Sequence, residues 1–157
     1  MAVKPIPDGY HSLTPYLIVK GAATALDFYA KALGATELYR LADPSGKVGH
    51  AEMTVGDSHF MLADEFPEMG AVGPLAGTGH SVSFLLYVSD VDAAFARAVA
   101  AGAKAVRPVQ DQFYGDRSGT LRDPFGHQWT LATHIEDVSP EEMQRRSAEM
   151  TKSAGGA

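Results

Sequence analysis

The chain has 157 residues, of which 45% are hydrophobic and 20% charged, an ordinary balance for one globular domain. The formal net charge is -6 and the few Lys and Arg are scattered, so the basic patch typical of nucleic-acid binding is missing. Cys is absent, which excludes disulfides, thiolate nucleophiles and thiolate metal sites, so any metal would need His, Asp or Glu.

The N-terminal residues 1–7 lack the apolar core of a signal peptide. No apolar run approaches the ~20 residues that a membrane-spanning helix needs. We therefore expect a soluble, cytoplasmic protein without a membrane or nucleic-acid partner.

In chain order, the first half predicts a βαβββ module. A strand is predicted over residues 13–19, with Thr14, Tyr16 and Ile18 on one face and the next residues on the other. Residues 21–24 start a helix that runs to residue 33, and Gly34 is the expected stop. Three further strands are predicted over residues 36–41, 50–55 and 59–62.

The second half predicts the same order after a Gly- and Pro-rich linker over residues 67–79. A strand over residues 81–88 leads into a helix over 91–101, with Ser89 or Asp90 as N-cap and Gly102 as the stop. Three strands follow, over residues 105–109, 118–121 and 128–133. The run Ser139-Pro140-Glu141-Glu142 predicts a C-terminal helix over about 139–151, because Ser suits the N-cap and Pro the first turn, and residues from 152 onward should be frayed.

The chain therefore repeats itself, and residues 14–34 and 82–102 show the repeat most clearly. A repeating unit of this size suits two fused modules better than a solenoid. We predict one domain over residues 1–157, with modules over about 12–66 and 80–135 and the functional site between them.

Several short phrases carry a resemblance to a known family: Asp27-Phe28-Tyr29, Ala32-Leu33-Gly34-Ala35, Gly49-His50-Ala51-Glu52, Val88-Ser89-Asp90-Val91-Asp92-Ala93, Gly115-Asp116-Arg117 and residues 123–129. With the doubled βαβββ order, they resemble the glyoxalase/bleomycin-resistance, or vicinal oxygen chelate, superfamily, and within it the PhnB-like branch. The resemblance covers residues 10–136. It implies an α+β fold, with two tandem βαβββ modules forming a concave mixed sheet and a C-terminal helix added.

The resemblance does not imply one activity, because this superfamily includes isomerases, lyases, dioxygenases, thiol transferases and metal-free drug-binding proteins. Its metal-dependent members carry ligands at positions that correspond here to Thr14, Ser83, Thr130 and Met61, or Phe60 if the register slips by one. None of these side chains offers an imidazole or a carboxylate. We therefore expect no metal cofactor at the usual position.

A relocated metal centre is the alternative. His50 and Glu52 are two apart on a predicted strand and share a face, and His59 lies on the next strand. These three could hold a divalent ion such as Zn, Ni, Mn or Fe. A solvated or simply hydrogen-bonded pair is the competing interpretation of His50 and Glu52, and His80 and His134, at element ends, are expected to be solvated.

The predicted concave face combines apolar side chains with hydroxyl groups, which favours a pocket for a small organic molecule. Arg117 offers a planar guanidinium for a carboxylate, phosphate or phosphonate, or it pairs with Asp116 or Asp123 to hold its loop. Residues 123–129 are interpreted as a turn followed by a core Trp129. The candidate ligand-binding residues are Thr14, Tyr16, His50, Glu52, Met61, Ser83, Tyr87, Tyr114, Arg117 and Thr130, with Leu85 on the same face.

Two hypotheses follow. The first is a metal-independent protein that binds a small organic molecule. The second is a glyoxalase- or dioxygenase-type enzyme with its metal at His50, Glu52 and His59. The resemblance further implies a homodimer, which would also cover exposed sheet edges.

Overall fold

Each half of the chain folds as one helix packed on a four-stranded mixed sheet. The computed structural model describes residues 2–155. The first half contains β1 (Tyr16–Val19), α1 (Ala22–Leu33), β2 (Thr36–Ala42), β3 (Val48–Val55) and β4 (Ser58–Asp64). The second contains β5 (Phe84–Tyr87), α2 (Val91–Ala100), β6 (Lys104–Asp111), β7 (Asp116–Arg122) and β8 (Gln128–His134), and α3 (Pro140–Ala154) follows.

The two sheets have the same strand order, β1-β4-β3-β2 and β5-β8-β7-β6. In each, the first strand runs parallel to the last one of its module, and the remaining neighbours are antiparallel. The registers match as well, because Tyr16 lies beside Met61 and Leu85 lies beside Thr130. The predicted α+β fold of two βαβββ modules is confirmed, with two sheets that do not close into a barrel.

Successive side chains on a strand point to opposite faces, so each sheet has one face covered by a helix and one face without helices. Leu17 and Val19 are buried under α1, whereas Tyr16 stays half exposed, as the alternation in β1 predicts. We call the face without helices the open face. The residues of the other face form the core, together with apolar side chains of α1 and α2.

A cluster of aromatic rings and one buried carboxylate joins the two modules. Tyr29 of α1 packs against Phe60 and Trp129, with ring centroids 5.6 Å away in both cases. Its hydroxyl donates to Asp123 Oδ2 at 2.6 Å, and Trp129 Nε1 donates to the same oxygen at 2.9 Å. The prediction of a core Trp129 after a structural turn is confirmed, since this side chain is buried.

Several predicted boundaries are wrong. β1 begins at Tyr16 rather than residue 13 and β5 at Phe84 rather than residue 81, because the apolar residues Leu13 and Val82 are exposed outside the sheets. The other strands begin or end one or two residues away from prediction.

The C-terminal helix is longer than predicted. α3 continues to Ala154, past the predicted end at 151 and through residues expected to be frayed. Arg145 pairs with Glu149 one turn later, which supports this helix in the way that i,i+4 ion pairs do. The part of the fraying prediction that concerns Gly156 and Ala157 lies outside the described residues.

The linker between the modules contains a short 3-10 helix, Pro67–Met69, and is otherwise irregular. Within residues 2–155, no helix is long and apolar enough to cross a membrane.

Candidate functional site

A hydrogen-bonded cluster of side chains lies on the open face of the first sheet. Glu52 is at its centre: Oε1 accepts from the Tyr39 hydroxyl at 2.7 Å and Oε2 accepts from the Tyr10 hydroxyl. His50 Nε2 lies 3.1 Å from Glu52 Oε1, and the Tyr16 hydroxyl lies 2.7 Å from His50 Nδ1. We call Tyr10, Tyr16, Tyr39, His50 and Glu52 the Tyr–His–Glu cluster.

Strand register brings most of the cluster together. Tyr39 on β2 lies beside Glu52 on β3, Glu52 lies beside Met61 on β4, and Met61 lies beside Tyr16 on β1. Residues in register share a face, so these four form one row across the sheet. His50, two residues before Glu52, shares that face and fills the space between Tyr16 and Glu52.

The hydrogen bonds assign the proton positions in the cluster. An ionised Glu52 only accepts, so Nε2 of His50 must carry the hydrogen that points to it. In a neutral imidazole Nδ1 then accepts from the Tyr16 hydroxyl. Burial, with a smaller contribution from Tyr39, raises the pKa of Tyr16 above its ordinary value, so this hydroxyl stays protonated. The Tyr16 hydroxyl therefore donates to His50, and His50 donates to Glu52, which fixes the orientation of all three side chains.

His59, the third member of the alternative metal centre, has a different environment. Its ring stacks on Tyr10 with 4.0 Å between centroids, and its Nδ1 is buried without a hydrogen-bond partner in residues 2–155. Within residues 2–155, no group of three or more His, Asp or Glu side chains is placed to hold a metal ion. His50 and Glu52 are brought together as expected, but the three-residue cluster is not formed.

Two cavities adjoin the open face of the first sheet. One of about 300 Å³ lies where the chain enters β1 and β5, and its lining includes Thr14, Ser83 and Leu85 beside the aromatic rings of Phe84 and Trp129. The other, of about 490 Å³, lies under the N-terminal segment and is lined by Tyr10, Thr14, Glu52 and Met61, among others. Thr14 belongs to both. Three of the four positions that resemble metal-ligand positions, Thr14, Ser83 and Met61, therefore lie at cavities.

The fourth position, Thr130, lies on the open face of the second sheet and shares a 3.0 Å hydrogen bond with Thr120. A second polar group lies on the same sheet. Asp116 is buried and accepts from the Tyr87 hydroxyl at 2.8 Å, while its other oxygen lies 2.8 Å from His134 Nδ1. The hydrogen bond to Asp116, followed by burial, raises the pKa of Tyr87.

His134 is exposed, as its position at the end of an element predicts, and it is also hydrogen-bonded. Its Nδ1 contacts Asp116 and its Nε2 lies 2.9 Å from Asp137. These two carboxylates, Asp116 first, raise the pKa of His134 above its ordinary value near 6.5. Solvent exposure alone therefore does not describe this histidine.

Arg117 lies on the helix-covered side of β7, and both predicted partners were wrong. Its guanidinium makes two hydrogen bonds to Asp92 of α2, at 2.8 and 2.9 Å, and one to Asp111 at 2.9 Å. The next residue on that side, Gly119, abuts the ring of Phe95 in α2. Arg117 thus ties α2 to the sheet and does not line either cavity. Tyr114 packs edge to face against Phe113 and lies near enough to Tyr87 to contribute slightly to its raised pKa.

Sequence reasoning missed Tyr10 and Tyr39. Tyr39 lies on β2 directly beside Glu52 on β3, so a correct prediction of the β2–β3 register would have placed it in the cluster. Tyr10 lies in an N-terminal segment without periodicity, and only the fold brings it to Glu52 and His59.

Comparison with known proteins decides the family. Residues 10–131 match the model of the Glyoxalase/Bleomycin resistance protein/Dioxygenase superfamily. The chain belongs to this superfamily. An uncharacterised protein of Mycobacterium bovis is 43% identical over 136 residues, which cover 85% of this chain and 90% of that protein.

Solved structures with this superfamily's fold agree. TioX from Micromonospora sp. ML1 is 28% identical, with a TM-score of 0.62 over 80% of this chain and 99% of that chain. The structure described as a PhnB protein from Bacillus cereus is 19% identical, with a TM-score of 0.62 over 78% of this chain and 99% of that chain. At that identity the second likeness shows the fold alone. The resemblance to the superfamily, with a PhnB protein among the structural neighbours, is confirmed.

Proposed function

We propose that this superfamily member binds a small organic molecule at the cavities beside its open faces, without the usual metal ligands. The observation that carries the proposal is the identity of Thr14, Met61, Ser83 and Thr130, none of which offers an imidazole or a carboxylate. Three of them lie at cavities whose other residues are largely apolar or aromatic. Such a lining suits ligand binding by packing and a few directed hydrogen bonds.

The Tyr–His–Glu cluster supplies the directed hydrogen bonds in this proposal. Glu52 is occupied by Tyr10, Tyr39 and His50, so the group of the cluster left to meet a ligand is the half-exposed Tyr16. Tyr16 lines neither of the two cavities above but a neighbouring one of about 320 Å³, beside Ile18 on the same face. Its hydroxyl oxygen accepts from a ligand while its hydrogen points to His50. Its ring offers a surface for stacking.

We further propose that the protein acts as a homodimer. Large side chains on the open faces are strongly exposed in the single chain, including Leu41 at 62%, Leu85 at 51% and Tyr87 at 58%. A second copy that covers these faces would remove this apolar area from water and enclose the bound molecule. Light scattering during size-exclusion chromatography would measure the molar mass of the protein, and a value of one chain, 16.7 kDa, would contradict the dimer.

The binding proposal is tested by titrating aromatic compounds, namely indole, quinoline and naphthol derivatives, against the wild-type protein and Leu85→Ala. Leu85 lines the smaller cavity, so its truncation should weaken binding about tenfold, the order expected for the loss of a packed side chain. Leu38→Ala is the matched control, since it truncates an exposed leucine outside both cavities.

Two results would contradict the proposal. One is equal weakening by Leu85→Ala and Leu38→Ala. The other is near-stoichiometric Zn, Ni, Mn or Fe that the purified protein retains and His50→Ala loses, because it would favour the metalloenzyme alternative.

A further inference from the structure

A third cavity, of about 620 Å³, lies between the linker and the second module. One wall is the Gly-rich segment 74–79 and another is the turn 123–126. Three cationic residues, Lys20, Lys104 and Arg122, also line it. In a chain with a formal net charge of -6, this local concentration of positive charge is unusual.

These positive charges have no acidic partner within residues 2–155. The ion pairs of the protein involve other residues, and no carboxylate lies within 4.0 Å of Lys20, Lys104 or Arg122. Lys104 and Arg122 also lie directly opposite each other in the β6–β7 pair. Like charges at such positions repel and destabilise a sheet unless an anion compensates them.

Asp123 lines the same cavity but forms no ion pair with these three residues, because its oxygens accept other hydrogen bonds. Its Oδ2 accepts from Tyr29 and Trp129, and its Oδ1 accepts from the backbone N–H groups of Phe125 and His127. Its side chain is buried towards the core. The carboxylate is therefore committed to holding the turn.

Arg122 carries an independent sign of an unmet interaction. Its Nε is buried and has no hydrogen-bond partner among the described residues. A buried donor without a partner costs free energy, and such groups are rare in native proteins. Because Nε is closed to solvent, a ligand in the cavity would meet the two terminal nitrogens of the Arg122 guanidinium, which are not buried.

We propose that this cavity binds a phosphate group, either as free phosphate or as the monoester of a small molecule. Arg122 supplies planar guanidinium donors that match paired phosphate oxygens, and Lys104 and Lys20 supply the remaining charge. Gly77 and Gly79 contribute backbone without side chains to the lining. Leu75 and Phe125 in the same lining offer an apolar surface to the organic part of a monoester. This site is separate from the open faces and does not depend on their function.

The test is calorimetric titration of the full-length protein with inorganic phosphate and with phenyl phosphate at low ionic strength. We expect wild-type binding that Arg122→Gln weakens about tenfold or more, as loss of hydrogen bonds to a charged group implies. Arg107→Gln is the matched control, because Arg107 is an exposed arginine on β6 outside the cavity. Arg107→Gln changes the net charge by the same amount as Arg122→Gln and should leave the affinity for phosphate unchanged. A tighter monoester assigns the site to a phosphorylated small molecule, and equal affinities assign it to free phosphate.

A second measurement guards against a variant that fails to fold. In phosphate-free buffer, Lys104→Gln should keep or raise the melting temperature, because it relieves the repulsion from Arg122, and it should reduce the rise that phosphate causes. Absence of binding by the folded wild-type protein overturns the proposal. Equal weakening by Arg122→Gln and Arg107→Gln overturns it too, because the attraction would then be general.

Discussion

At the scale of single residues, each open face carries a tyrosine, a carboxylate and a histidine in contact. In the first module these are Tyr39, Glu52 and His50, and in the second they are Tyr87, Asp116 and His134. The two groups occupy different positions in otherwise equivalent sheets. The two modules therefore share a backbone arrangement, whereas the polar side chains of their open faces are arranged differently.

His134 leads to a prediction about pH. Because Asp116 and Asp137 raise its pKa in the folded protein, protonation of His134 favours folding. This contribution is complete below the ordinary value near 6.5 and is lost as the pH rises through the raised pKa. The excess stability of the wild-type protein over His134→Gln should therefore shrink with rising pH, and it should be small because His134 is exposed.

Melting temperatures of both proteins between about pH 6 and pH 9 would measure this difference. His11→Gln is the control, since His11 is an exposed histidine without an ion-pair partner in the described part of the chain. A difference that stays constant or grows with pH would contradict the assignment.

At the scale of elements, the last strand of each module caps the helix of that module. Asp64 at the end of β4 accepts from the backbone N–H groups of Gly21 and Ala22, at 3.0 and 2.8 Å. Thr133 on β8 accepts from Val91 N at 3.0 Å, and Asp90 adds a local cap to α2. The predicted N-cap at Ser89 or Asp90 is resolved in favour of Asp90. α1 has no capping side chain of its own, because Gly21 precedes it.

Asp64→Ala should therefore destabilise the protein by about 1–2 kcal/mol, the usual cost of losing a helix cap. The change also frees the N–H of Val48, which donates to the other Asp64 oxygen at 2.7 Å. Urea unfolding would give the free-energy difference. Asp57→Ala removes an exposed carboxylate from the neighbouring turn and should cost less than about 0.5 kcal/mol. Equal costs for the two variants would show that capping across the module is unimportant.

The order of the eight strands and three α-helices that the structure describes within residues 2–155 was predictable, but their ends were less so. Hydrophobic periodicity reports which residues face a core, and that signal is strong in α1 and β1. Strand ends depend on whether a partner strand is present. Leu13 and Val82 look like strand residues in sequence, yet the backbone before Tyr16 and Phe84 lies outside the sheets.

At the scale of the whole molecule, one set of contacts holds the two modules together, and we call it the module interface. Besides the contacts of Asp123, His127 Nε2 donates to the Ile18 carbonyl at 2.9 Å, and Arg97 of α2 donates to the Lys31 carbonyl at the end of α1 at 2.6 Å. Burial and Asp123 raise the pKa of Tyr29 well above its ordinary value, which keeps its donor hydrogen in place. These contacts tie the two modules together, and their folding as a single domain stays a prediction.

That prediction is testable because Trp129 is the only tryptophan in the chain and lies in the module interface, against Tyr29 and Phe60. Its fluorescence reports separation of the modules, whereas far-ultraviolet circular dichroism reports loss of helices and strands. We expect the two urea transitions to coincide, as they do for one cooperative unit. A fluorescence change that precedes the loss of secondary structure would instead indicate two modules of independent stability.

The amino-acid sequence was enough to predict the duplicated βαβββ order and the superfamily. It also supplies the residue types at Thr14, Met61, Ser83 and Thr130 on which the proposal of metal-free binding rests. These conclusions rest on local periodicity, on turn chemistry and on residue identity at matched positions, all of which are written along the chain. Which side chains contact each other, in contrast, becomes clear only in the folded protein. Tyr10 reaches Glu52 and Arg117 reaches Asp92 across long stretches of sequence. The same holds for Lys104 and Arg122, which only strand register makes neighbours. Such contacts depend on register and on the packing of helices against sheets, and a pattern read along one strand does not contain them.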